Sequence, residues 1–442
     1  MITARVCIDA FNLDMAKGSG IATYARNLGA ALETLGAETH LLHGPARAPG
    51  GNDLLNEIAI WEPRSVKPPR AKLWQFLQRP FRPAQREAVR ISKSGELEVQ
   101  QNAHQDFGAR YHWSCGRVFH GANRDYVAHG DFTTLRFGPK SQEKQIDIAH
   151  WTCPLPIRAE RSLNIYTIHD LVPLKLPFAT LDDKPRHYEI CKRICREADQ
   201  IVTVSEKSRD DIVRIFGVDE HRITNTYQSV SVPSYFLADN EGDISSAVEN
   251  TFGLPWKGYF LFFGAVEPKK NLGRLIEAYL ASGASAPLVI VGGRAWLDED
   301  DTRMLHQDLI QVQVLQDGVL RRADRIRRYD YLPFGTLMGL VKGAKATMFP
   351  SLYEGFGLPI LESMLLGTPV LTSNTGASLE IAGDATLLVD PYDVQAIKRG
   401  IQALDIDDAL CAELSARGQI QAARFSPEAY ERRLEALYHK LL

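Results

Sequence analysis

Cysteine is scarce and scattered. Six occur in 442 residues, at positions 7, 115, 153, 191, 195 and 411. Only Cys191 and Cys195 are close; their spacing of four suits one helix face, and no second pair completes a metal site. All six read as reduced core or near-core thiols of a cytoplasmic protein, which sets aside a disulfide scaffold. Long apolar runs are missing too. None approaches 18 residues, so no membrane-spanning helix is expected. The first ten residues read as a short strand with one early arginine, and they lack the layout of a signal peptide. Neither sign of charge prevails: 51 Lys and Arg against 54 Asp and Glu leave a net charge of -3. Nothing global therefore points to nucleic acid.

What is present is an ordinary globular composition, 45% hydrophobic and 24% charged. At about 100–200 residues per domain, the length suggests two or three domains, each able to bury a core.

The chain is organised around Ala346 to Asn374, which reads as strand, loop, helix, turn, strand. The apolar run Ala346–Phe349 ends at Pro350. The loop Glu354-Gly355-Phe356-Gly357 follows, with two glycines that let a backbone approach a ligand closely. Leu358 and Pro359 then open a helix, and Gly367 stands where helices stop. Such a helix N-terminus is a ready anion site, because its first amides have no partner inside the helix. Glu354 precedes the loop and Glu362 is expected in the first helical turn. Both can accept sugar hydroxyls; a solvated loop residue and a carboxylate complementing the helix dipole are the plainer readings.

Other stretches place chemistry at strand ends. Val6-Cys7-Ile8-Asp9-Ala10 reads as the first strand, followed by Gly18-Ser19-Gly20 and a helix to about Leu35. Strand, glycine turn and helix are the phosphate-facing geometry of a doubly wound domain, or simply a tight connection. The strands Gln145–Trp151 and Leu163–Asp170 carry His150 and His169 near their ends, where ligands gather in open α/β sheets. Gln200–Val204 is another strand, with Ser205 capping the next helix and Ser208 in its first turn. Tyr259–Gly264 opens a second βα-rich half. Lys269 and Lys270 follow in Glu267-Pro268-Lys269-Lys270-Asn271, either phosphate-neutralising point charges or surface lysines.

Glu-Gly-Phe-Gly-Leu-Pro, with a second Glu eight positions after the first, closely resembles the donor-site motif of retaining glycosyltransferases of family 4, which have the GT-B fold. Gly-Ser-Gly-Ile-Ala-Thr-Tyr, Thr-Ile-His-Asp-Leu-Val-Pro, Val-Thr-Val-Ser-Glu-Lys-Ser, Glu-Pro-Lys-Lys-Asn and the segment around Glu380 resemble further family motifs. The resemblance covers residues 1–45 and 145–442. It implies two doubly wound Rossmann-like α/β domains facing a cleft: residues 1–245 on the acceptor side, 255–425 holding the nucleotide sugar, and a helix over 426–442 crossing back to the first. It also implies roles. Glu354 contacts the donor sugar, Glu362 holds the ribose, and the amides of Gly355, Phe356, Gly357 and Leu358 hold the diphosphate. Lys270 binds the diphosphate with Lys269 beside it, and Tyr331 and Leu332 hold the base. Gly20 faces the cleft. His169, and after it His150, lies beside the donor sugar. Lys269 stands where the family often has Arg, and Ala265 where many members have Arg, so charge on the leaving group is lower or comes from elsewhere. No metal and no cofactor are implied, and no Asp-x-Asp triplet stands at a strand end. The segment motifs look most like bacterial mannosyltransferases of polysaccharide assembly, which implies a GDP-mannose donor. UDP-sugars, a GT-B epimerase and a silent sugar-nucleotide binding module are the alternatives.

One insert, about 45–144, stands outside the resemblance. Between Glu62 and Lys93 it holds nine basic residues against Glu62 and Glu87, with Trp61, Trp74, Phe76 and Phe81 interleaved. Such a stretch suits an anionic membrane surface, a phosphorylated acceptor or a solvated linker. A lipid-linked glycan acceptor at the inner membrane face would use it for peripheral contact. Residues 94–144 exceed an ordinary loop and are expected as a small subdomain or flap.

Overall fold

The computed structural model describes residues 1–14, 20–46, 48–61, 85–92, 96, 108–138, 146–238, 240–293, 311–316 and 319–442. The first half holds ten strands: β1 (Arg5–Asp9), β2 (Glu38–His43), β3 (Gln85–Ile91), β4 (Tyr111–Ser114), β5 (Thr133–Phe137), β6 (Ile148–Trp151), β7 (Ile157–Ala159), β8 (Leu163–Thr167), β9 (Gln200–Thr203) and β10 (Ile223–Asn225). They lie in the order β10-β9-β8-β6-β1-β2-β4-β3-β5-β7. β10 to β4 are mutually parallel, and β3 turns the direction by pairing antiparallel with β4. The carboxyl ends of β1 and β8 therefore share one edge, and the residues that follow them meet there.

The second half holds β11 (Phe260–Phe263), β12 (Leu288–Val291), β13 (Gln311–Gln316), β14 (Val319–Asp324), β15 (Ile326–Tyr329), β16 (Ala346–Phe349), β17 (Val370–Ser373) and β18 (Leu387–Val389). β13 and β14 form a hairpin, and the others make a parallel sheet in the order β15-β12-β11-β16-β17-β18. Every residue of β11, β12, β16 and β17 is buried. Such continuously apolar strands suit a parallel sheet with no solvent face. Chain order reverses between β11 and β16, so the loops after these two strands flank a topological switch point, the usual ligand crevice of an open α/β sheet.

The last helix, Pro427–Leu441, returns to the first half. It packs on the helix Gly20–Thr34, and its Tyr430, Leu434, Leu437 and Tyr438 join one buried cluster with Val6, Ile8, Tyr24 and Leu28. The amino group of Met1 pairs with Glu435 at 2.9 Å.

One expectation needs correction. Residues 108–138 are not a separate subdomain or flap: β4 and β5 enter the first sheet itself, joined by the helix Val118–His129. Four- and five-residue strands carrying His, Ser, Thr and Arg lack the apolar run that reveals a strand in sequence. The helix Glu241–Phe252 lies where the first expected unit gives way to the second, and it buries Ile244 and Val248 against the helix Phe334–Gly343 of the second half.

Candidate active site

The switch point of the second sheet is where the candidate residues converge. After β11 the chain makes a single 3₁₀ turn, Pro268–Lys270, and Asn271 takes the left-handed conformation at φ 61°. The Asn271 amide holds the carbonyls of Pro350 and Pro391 at 2.9 and 2.7 Å, tying this turn to the loop after β16. Leu352 N donates to the Lys269 carbonyl at 2.8 Å. So fixed, Lys270 Nζ donates to Glu354 Oε1 at 2.7 Å, both side chains being largely buried. Burial works against ionised Glu354, but Lys270 and Lys269 outweigh it and hold its pKa below the usual glutamate range. Burial also opposes charge on Lys269. Asp170, Glu354 and Glu267 outweigh that and hold the ammonium well above the usual lysine range. The site thus keeps the Lys269 ammonium charged beside Glu354.

The helix Leu358–Leu365 starts one residue after Gly357, whose φ of 113° excludes most side chains. The N–H groups of Gly355, Phe356, Gly357 and Leu358 meet no protein acceptor among the described residues. Four successive free donors at a helix start form an anion-binding concavity. Pro359 follows with no N–H to offer. Glu362 is the fifth helical residue, so it begins the second turn rather than lying in the first. Its carboxylate has no partner among the described residues, and burial alone lifts its pKa to about 7.

The first half meets this loop edge to edge. His169 follows β8, and its Nε2 donates to the Thr152 carbonyl at 2.8 Å. Since a carbonyl only accepts, the proton sits on Nε2 and Nδ1 is the lone-pair nitrogen. Burial keeps the ring's pKa below the ordinary histidine value, so the neutral form is favoured. The ring stands edge-on to Tyr24 with centroids 4.8 Å apart. Gly355 lies so close that a Cβ there would come 2.7 Å from Asp170 Oδ2 and 3.0 Å from the His169 carbonyl oxygen. Only glycine permits this approach.

His150 does not join the group. It is fully buried, with Nδ1 2.8 Å from Tyr438 Oη and Nε2 2.9 Å from Thr167 Oγ1. Burial drives its pKa down to about 3. Both nitrogens are spent on protein partners, so it fastens the last helix to the sheet and takes no part at the cleft. Tyr331 and Leu332 follow the edge strand β15, with Tyr331 80% exposed. Gly20 opens the helix Gly20–Thr34, and a Cβ there would meet nothing within 4 Å among the described residues. Lys17, Gly18 and Ser19 lie outside the described residues.

Of the basic stretch, 62–84 and Lys93 also lie outside the described residues. Arg86 and Arg90 sit in β3. Arg86 pairs with Asp125 at 2.9 Å, and the exposed Arg90 stacks 3.8 Å over the Tyr111 ring, so both already have partners within the fold. Sequence reasoning missed Tyr353 and Asp211, which join the halves. Tyr353 Oη donates to buried Asp211 at 2.6 Å, where Lys175 also donates at 2.6 Å. The Glu380 carboxylate accepts from the Glu206 and Lys207 N–H groups at 2.8 and 3.0 Å. Only the resemblance drew attention to Glu380, and nothing local marks Asp211 or Tyr353.

Comparison with known proteins agrees with this geometry. The family Glycosyl transferases group 1 matches residues 255–421, and Glycosyltransferase Family 4 matches residues 132–231. The O-antigen chain mannosyltransferase B of Escherichia coli is 35% identical over 281 residues, 62% of this chain and 69% of that protein. The serotype-specific mannosyltransferase WbdA of Escherichia coli is 27% identical over 58% of this chain, which spans only 31% of that longer protein. Among solved structures, Anabaena HepE in complex with UDP and glucose superposes with a TM-score of 0.63 at 15% identity, over 99% of this chain and 100% of that one.

Proposed function

The chain belongs to glycosyltransferase family 4, with the GT-B fold, and from that premise we propose that it transfers mannose from GDP-mannose, with retention, to a glycan acceptor in cell-surface polysaccharide synthesis. The observation that carries the reading is the Lys270–Glu354 pair, 2.7 Å apart at the switch point beside four free N–H groups. In glycosyl transfer the donor C1 gains oxocarbenium character while the diphosphate leaves with growing negative charge. Donors already aimed at that charge lower the barrier. An ammonium has three protons; Lys270 gives one to Glu354 and has two for phosphate oxygens. Glu354 in turn has a second oxygen for a sugar hydroxyl. Glu362 offers a carboxylate to the ribose, and neutral His169 offers Nδ1 as an acceptor toward the sugar.

The mannosyl assignment is supported by the O-antigen chain mannosyltransferase B relationship. UDP-sugars, the ligand class in the HepE complex, are the alternative donor. A lipid-linked form of the acceptor, reached through peripheral membrane contact of 62–93, belongs to the same proposal. No helix among the described residues is long and apolar enough to cross a membrane.

Thermal unfolding with GDP, UDP and their sugars tests the donor. At 100 times its dissociation constant, the right nucleotide stabilises by about 2.7 kcal/mol. GDP should stabilise and UDP should not; the reverse would replace mannose by a UDP-linked sugar. Lys270→Ala should then lower kcat about a hundredfold with the fold intact. Near-normal turnover would move the charge role to Lys269.

A further inference from the structure

We propose that Ser205 and Ser208 are positioning residues that tie the two faces of the cleft to one helix end, and that Glu380 locks this tie from the second half. The helix Glu206–Phe216 begins after Ser205, and both serines are fully buried. Ser205 Oγ donates to the Gly355 carbonyl at 2.8 Å, inside the glycine loop of the second half. Ser208 Oγ donates to the His169 carbonyl at 2.7 Å, at the strand end of the first half. Each hydroxyl has one proton and each carbonyl can only accept, so the Ser208 proton goes to His169, while the Ser205 proton is shared between the Gly355 carbonyl at 2.8 Å and Ser208 Oγ at 3.0 Å. Ser205 Oγ also accepts the Ser208 N–H at 3.1 Å, as an ordinary cap.

A helix cap needs only that last bond. The two protons pointing outward, one to each half, are what capping does not explain. They fix the backbone at His169 against the backbone after Glu354, and so set the spacing of the groups that flank the donor sugar. The same helix end has two further N–H groups, of Glu206 and Lys207, and a second-half side chain takes both: the Glu380 carboxylate at 2.8 and 3.0 Å. The N-terminal end of a helix dipole favours such a charge. Ser205, Ser208 and Glu380 touch no donor atom in this account; they act through the His169 and Gly355 backbones.

This inference rests on the transferase reading, and two measurements separate their failures. Steady-state kinetics is run on Ser205→Ala, Ser208→Ala and Glu380→Ala, with isothermal titration of GDP as the binding probe. The nucleotide is held by second-half groups and Ser208 Oγ donates to the first half, so GDP affinity in Ser208→Ala should stay within about twofold of wild type. Misplacing the facing group by about 1 Å should lower kcat about ten- to hundredfold. Glu380→Ala and Ser205→Ala should be non-additive, because they break the same tie. Unchanged kcat in both, or parallel loss of kcat and GDP affinity, would overturn the proposal. Small-angle X-ray scattering of the full chain needs no catalysis: Glu380→Ala should show a larger radius of gyration than wild type. That half-exposed residue also keeps the test open if Ser205→Ala does not fold. Identical scattering would refute the tie, whereas wild-type inactivity with every nucleotide sugar would refute the transferase reading alone.

Discussion

Glu362 shows how a single side chain is prepared for a ligand. It is a carboxylate with no protein partner among the described residues, lifted by burial to about pH 7. Two ribose hydroxyls satisfy the charged form and not the neutral one. Below about pH 7 the free protein holds a proton that binding must expel, so nucleotide affinity should fall about tenfold per pH unit on the acid side. Above that pH it should level. Glu362→Gln should cost about 1.5–3 kcal/mol of nucleotide binding and remove the acid dependence. Calorimetry between pH 6 and 8 reads both effects, and unchanged affinity in the variant would end the ribose assignment.

At the scale of elements, the last helix is held by a buried polar chain. Tyr438 reaches His150, His150 reaches Thr167, and Thr167 lies 2.9 Å from Tyr24 Oη. His150→Phe fills the space but leaves the buried Tyr438 hydroxyl unpaired, Thr167 keeping Tyr24, which should cost roughly 1–3 kcal/mol of stability. The acid response gives a second check. Folded His150 titrates near 3, while the unfolded ring titrates at 6.5. Between these values the unfolded chain binds a proton that the fold refuses, so stability falls as pH drops below about 6.5. His150→Phe should flatten that fall by about 1.4 kcal/mol per pH unit. His150 was legible as a strand-end histidine, but the partner that fixes its role lies 288 positions away. Ala346–Phe349, by contrast, is found to the residue, because four apolar residues end at a proline. Glu38–His43 and Tyr111–Ser114 escape notice because polar residues break their apolar runs.

At the scale of the molecule, one mainly parallel and one parallel sheet bring the carboxyl ends of β8, β11 and β16 to one cleft. The residues gathered at the switch point were readable because they sit in short contiguous motifs. The ties between halves were not, since each joins residues more than 130 positions apart. The membrane proposal also belongs here. Each basic residue near an anionic surface contributes about 1 kcal/mol, screened by salt. Wild type should float with anionic vesicles at low salt and be released at high salt. Replacing Arg64, Lys67, Arg70 and Lys72 by Ser should abolish flotation; Arg86 and Arg90 are spared because the fold uses them. Equal flotation of wild type and variant would remove the membrane contact and leave the transferase untouched.

The most direct test of the central claim is proton NMR of the product formed from GDP-mannose and a mannose-terminated glycan. The account predicts that GDP is released and that one new mannosyl residue appears with the anomeric configuration of the donor. An inverted linkage would contradict retention, and transfer from a UDP-sugar with GDP-mannose left intact would contradict the donor assignment.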